Sequence, residues 1–67
     1  MSLRDLREDN DYKQSFIAEY LYINQNTYSQ YENEQRQIPL AALIKLADLY
    51  NTSIDYIIGI TDNPKKN

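Results

Sequence analysis

The stretch QSFIAEYLYINQNTYSQYEN at residues 14–33 carries two apolar stripes with a break between them. Read at helical period, Ile17, Ala18 and Leu21 fall on one side of the first segment, and Tyr28 and Tyr31 on one side of the second. Leu21-Tyr22-Ile23 marks the break. The pattern predicts two short helices joined by a turn of about three or four residues.

The second of these helices shows an unusual face to solvent. Gln25, Asn26, Thr27, Ser29, Gln30 and Asn33 are uncharged, and nearly all both donate and accept hydrogen bonds. A solvated helix face ordinarily carries charged residues. Neutral amides and hydroxyls suit the edges of base pairs. The bland alternative is an uncharged surface that meets nothing.

Size and composition narrow the choices. A chain of 67 residues holds one domain, and at this length a core supplies only about 3–5 kcal/mol without staples. There is no Cys and no His, which rules out disulfides and removes the commonest metal ligand and general base. Neither a metal nor another cofactor is expected. Carboxylates at Asp5, Glu8, Asp9 and Asp11 read as the solvated acidic end of a first helix, since no basic partner or Gly-rich loop converges there. No apolar run approaches the roughly 18 residues of a membrane span, and no signal peptide opens the chain. A soluble, cytoplasmic, non-enzymatic domain is the expectation.

Net charge is −3, which argues against strong nonspecific attraction to nucleic acid. The balance is uneven along the chain. Residues 13–37 hold Lys13 and Arg36 against Glu19, Glu32 and Glu34, a net of −1. Any contact with DNA therefore leans on backbone amides and neutral side chains as well as on cations.

Taken in order, Leu3 and Leu6 predict a short first helix capped by Ser2 and ending near residue 10. Asn10-Asp11 is a loop, with Tyr12 closing over the core. The second helix spans about residues 13–21, leaving Phe16 off the stripe and partly exposed. Asn24 caps a third helix over residues 25–32. Gln35-Arg36-Gln37 is a polar loop. Pro39 opens a fourth helix over residues 40–50, with Leu40, Leu43, Ile44, Ala47 and Tyr50 inward and Leu46 widening the stripe. Asn51 ends it. Ser53 caps a short fifth helix with Ile54, Ile57 and Ile58 inward, stopped by Gly59. Tyr20, Tyr22, Tyr50 and Tyr56 read as core or rim residues. Residues 61–67 are polar and expected to fray.

These segments together resemble the Cro/C1-type helix-turn-helix family, the DNA-binding domain of lambdoid phage repressors and many bacterial regulators. The likeness covers about Leu3 to Asp62. Gln14 matches the glutamine that opens the family's second helix. Ile17, Ala18, Leu21, Ile23, Tyr28 and Tyr31 fall on its apolar and small positions. Tyr-Glu-Asn at 31–33, Ile38-Pro39, LIKLADLYN at 43–51 and SIDYIIG at 53–59 resemble its downstream signature. Two departures stand out: Tyr22 and Glu34 occupy places where the family usually or often has Gly. If either backbone is left-handed, the departure costs stability.

The resemblance implies an all-α, compact five-helix, lambda-repressor-like domain over residues 1–62, with a polar tail at 63–67. It implies a sequence-specific transcriptional regulator, a repressor by the family's habit, with the third helix in the major groove of double-stranded DNA. Gln25, Asn26, Thr27 and Gln30 are the expected base readers. Lys13, Gln14, Asn33 and Arg36 are the expected phosphate anchors. A homodimer on a near-palindromic operator follows from family habit, with the apolar end around Ile54, Ile57, Ile58 and Ile60 as a candidate dimer surface. The rival reading, suggested by the acidic balance, is a protein-binding helical module of antitoxin or antirepressor type.

Overall fold

Five α-helices make up the computed structural model, which describes residues 2–59 and residue 63. They are α1 (Leu3–Asp9), α2 (Gln14–Tyr20), α3 (Gln25–Glu32), α4 (Leu40–Leu49) and α5 (Ile54–Ile57). No strand occurs among the described residues. The family's fold expectation holds. Observed helices differ from the expected ones by a residue at several ends, while α3 matches.

Local chemistry sets the starts. Ser2 Oγ accepts from the Asp5 amide at 3.1 Å, and the Asp5 carboxylate accepts from the Ser2 amide at 3.3 Å, a reciprocal capping box. Asn24 Oδ1 accepts from the Thr27 amide at 2.7 Å. Ser53 Oγ accepts from the Tyr56 amide at 3.1 Å. Lys13 and Pro39 open α2 and α4 without a side-chain cap. Each cap satisfies an amide that the helix itself leaves unpaired.

The helix ends share one device. Asp11, Tyr22, Glu34 and Asn51 follow α1 to α4 at φ 59°, 59°, 60° and 52°, and Gly59 follows α5 at 87°. After α2, the Tyr22 amide donates to Glu19 O at 3.1 Å and the Ile23 amide to Ala18 O at 3.0 Å. After α3, the Glu34 amide donates to Tyr31 O at 3.3 Å and the Gln35 amide to Gln30 O at 2.9 Å. This paired bonding is the Schellman motif, which needs a left-handed residue. Gly59 is the chain's one glycine, so the other four positions carry side chains. Asn and Asp tolerate this region; Tyr22 and Glu34 sit there under strain.

The core is Leu6, Ile17, Ala18, Leu21, Tyr28, Leu43, Leu46, Ala47 and Ile57, with Ile23, Tyr31 and Ile54 among the side chains packed around it. α1, α2 and α3 meet across it, and α4 packs on α5. Tyr12 closes one side as expected, stacked on Phe16 at 4.7 Å and tilted against Tyr50 at 6.1 Å. Three apolar residues expected inside are outside. Leu40 is 64% exposed and Ile44 54%. With Leu43, Leu46 and Ala47 turned inward, steps of about 100° put Leu40 and Ile44 on the edge of that face and beyond it. Ile58 is 51% exposed, because α5 ends at Ile57 and the chain turns away there. Tyr20, Tyr50 and Tyr56 are half-buried rim residues, whereas Tyr22 is 87% exposed. Of the expected tail, only Asn63 lies within the described residues; Ile60 also falls outside them.

Candidate nucleic-acid interface

α3 is held by a single fully buried side chain, Tyr28, with Tyr31 half-buried beside it. The four-residue connection Leu21 to Asn24 joins it to α2. Its other side is the amide face that periodicity picked out. Gln25, Asn26 and Asn33 are exposed; Thr27, Ser29 and Gln30 are half-buried. The side chains of Gln25, Asn26 and Gln30 make no hydrogen bond to another described residue. Their amides are therefore presented outward with donors and acceptors unspent.

Behind this face lies a buried charge. The Glu32 side chain is fully enclosed. Arg7 Nε donates to its Oε2 at 2.6 Å and Arg7 Nη2 to its Oε1 at 3.2 Å, a two-pronged pair. Gln14 Nε2 donates to Oε1 at 3.0 Å, and Arg4 Nε lies 3.6 Å from the same oxygen. A third Arg7 donor, Nη1, reaches Tyr12 O at 3.0 Å. One carboxylate thus fastens α1, the start of α2 and the end of α3.

The electrostatics follow from that geometry. Burial pushes the Glu32 carboxyl up, but Arg7 first, then Tyr28 and Gln14, outweigh it and hold it below the usual carboxylate range. The same hydrogen bonds raise Arg7 further above its ordinary value. The Tyr28 hydroxyl faces this carboxylate, near enough to interact with it although the pair falls short of strict hydrogen-bond geometry. Burial first, and interaction with the Glu32 carboxylate second, push Tyr28 far up. Burial with the same charge pushes Tyr50 up to about 12. Both phenols therefore stay neutral across the physiological range.

The expected phosphate anchors divide into two kinds. Lys13 at the N-cap of α2 and Arg36 in the loop after α3 are exposed. Gln14 is half-buried and its side-chain amide is committed to Glu32. Asn33 Oδ1 accepts from Arg4 Nη2 at 2.9 Å, so its carboxamide oxygen is engaged. Arg4 was missed by sequence reasoning. Its guanidinium sits at the C-terminal end of α3, half exposed, and lines a shallow depression together with Arg36. The signal lay in the Arg4/Arg7 spacing of one helical turn, which puts both cations on one flank of α1.

The family model described as "Helix-turn-helix" matches residues 3–57. The chain belongs to the Cro/C1-type helix-turn-helix family. Three Bacillus subtilis (strain 168) proteins in this family's range of likeness make the point. The "Uncharacterized HTH-type transcriptional regulator YobD" is 42% identical over 62 residues, covering 92% of this chain and 55% of that protein. The "HTH-type transcriptional regulator ImmR" is 40% identical over 65 residues, 97% of this chain and 51% of that one. The "HTH-type transcriptional regulator AnsR" is 37% identical over 57 residues, 85% and 49% respectively. The chain thus spans about half the length of the curated relatives it matches. No solved structure matches it significantly. Within this helix-turn-helix frame, α2 and α3 are the motif's two helices and α1 is the brace behind them. No helix among the described residues is long and apolar enough to cross a membrane.

Proposed function

We propose that this domain binds double-stranded DNA as the sequence-reading part of a cytoplasmic transcriptional regulator, with α3 in the major groove. The observation that carries the reading is the outward face of α3, whose amides at Gln25, Asn26 and Gln30 have no partner among the described residues. Carboxamides pair with the N6 and N7 edge of adenine, each good pair contributing about 1–3 kcal/mol of discrimination. Thr27 meets a thymine methyl or a phosphate. Lys13 and Arg36 hold phosphates and set register. Asn33 does so through its amide nitrogen, because Arg4 occupies its oxygen. Gln14 contributes through its backbone N–H, since its side chain is bound to Glu32.

A net charge of −3 makes the attraction modest for one copy. Two copies on a near-palindromic operator compensate for this, and the exposed Ile58 is the described apolar residue of the candidate dimer end that core packing leaves over. Repression is the direction that the family resemblance suggests. The acidic balance also favours a second reading, a protein-binding module of antitoxin or antirepressor type that kept the fold and lost DNA affinity.

Selection of bound duplexes from random DNA at low salt tests the first reading. Enrichment of one near-symmetric site is the expected result; no enrichment would transfer the case to the second reading. On the selected site, Gln25→Ala relaxes preference at one base pair and barely changes the salt dependence. Arg36→Ala weakens all sites alike and reduces the salt slope by about one. If the two variants behave alike, the division between reading and anchoring is wrong.

A further inference from the structure

A groove of about 920 Å³ lies between the later part of α2, the turn after it, and the α4–α5 corner. No residue of α3 lines it, so it stays open when α3 is engaged elsewhere. Phe16, Tyr22 and Ile44 line it, and all three are large, apolar and exposed. Grouped exposed apolar side chains of this kind mark interaction surfaces more often than scattered ones do.

Tyr22 sharpens the point. The left-handed cap after α2 is met at lowest cost by glycine. A tyrosine there accepts backbone strain of about 1–2 kcal/mol while its ring stays 87% exposed, so almost no burial offsets the strain. Strain that the fold only partly offsets points to a function for the side chain.

The rim decides what the occupant is. Among the described residues, Glu19 and Asp55 bring exposed carboxylates to the groove, with the already engaged Asp48 also lining it, against the ammonium of Lys45. Lys45 Nζ already lies 4.9 Å from the centre of the Tyr22 ring. Nucleic acid is repelled by such a rim. A second copy placed face to face would meet its own carboxylates. The complement is a cationic protein segment with large apolar anchors.

We propose that this groove is a docking site for a partner segment in which one or two large apolar side chains are flanked by Lys or Arg. The apolar anchors seat on Phe16, Tyr22 and Ile44, and the flanking cations meet Glu19 and Asp55. The site is separate from α3, so its failure leaves the DNA-reading role standing.

Panning a phage-displayed random peptide library against the whole chain tests the assignment, followed by anisotropy titration of the selected peptides. Expected peptides carry aromatic or aliphatic anchors flanked by Lys or Arg. Tyr22→Gly, which relieves backbone strain and so keeps the fold, should weaken them about tenfold or more. Asp55→Asn should weaken them about threefold and reduce their salt dependence. Asp9→Asn, exposed on α1 and off the groove, should change nothing. The proposal is overturned if no peptide enriches, if the enriched peptides are acidic or uncharged, or if their affinity survives Tyr22→Gly.

Discussion

Tyr22 and Glu34 both sit at left-handed caps, yet their side chains differ in what they would lose on replacement. A left-handed non-glycine residue costs about 1–2 kcal/mol. Glycine gives back roughly 0.4–1 kcal/mol of that through its freer unfolded chain. Tyr22→Gly also loses the Lys45 contact over the ring, about 0.5 kcal/mol at an exposed site. A net gain of around 0.5 kcal/mol remains, raising Tm by roughly 2–4 °C in a domain of this size. Glu34→Gly loses no ring contact and should raise Tm more. Calorimetry of both variants checks the order; a fall in Tm for Glu34→Gly would mean that its side chain holds something the backbone account omits. Tyr50 presents a different residue-scale case. Its hydroxyl is buried with no hydrogen-bond partner, so Tyr50→Phe should raise stability, by about 1 kcal/mol, as the uncompensated desolvation is relieved. A loss would reveal a bond the hydroxyl makes in solution.

The start of α3 rests on one side chain. Asn24 Oδ1 holds the Thr27 amide at 2.7 Å, and Gln25 and Asn26 lie between these two residues. Asn24→Ala should cost about 1 kcal/mol, a drop of roughly 4–8 °C in Tm. Amide exchange should quicken at Gln25 to Thr27 and hardly change at Ile17 or Ala18. Equal acceleration across both helices would show that the cap supports the whole motif and not this end. The same locality explains why the bounds of α3 were legible in sequence. Its cap, its apolar pair and its left-handed stop are all written within a dozen consecutive residues. α4 was less legible because periodicity gives the direction of an apolar face but not its width. Leu40 and Ile44 share a stripe with Leu43 and Ala47, yet only neighbouring elements determine how far the buried sector extends, and none reaches Ile44 deeply enough to cover it.

Across the molecule, the contact that sequence did not disclose is the enclosed Arg7–Glu32 pair. The two residues are 25 apart in the chain, and nothing local to Glu32 distinguishes it from the solvated Glu34. The amide face of the candidate site was readable because it lies on one helix. Arg4 on Asn33 was not, because it joins α1 to the end of α3. The pair carries a prediction in acid. The folded-state pKa of Glu32 lies below its ordinary value of 4.5. Its stabilisation is therefore complete above about pH 4.5 and is lost as pH falls through the folded value. Removing one partner alone strands a buried charge at about 3–5 kcal/mol, comparable to the whole stability of a domain this small. Glu32→Gln should accordingly unfold at room temperature. Arg7→Met combined with Glu32→Leu should fold, with a flatter acid limb in Tm against pH. An unchanged acid limb in the double variant would assign the sensitivity to other carboxylates.

That enclosed carboxylate also sets how small a working piece can be. A peptide excised as the bare motif, residues 14–33, would keep Glu32 but lose both arginines that neutralise it. The reading helix is not portable on its own. Grafting it into another scaffold requires an arginine delivered from outside the motif, at the place where α1 now supplies one.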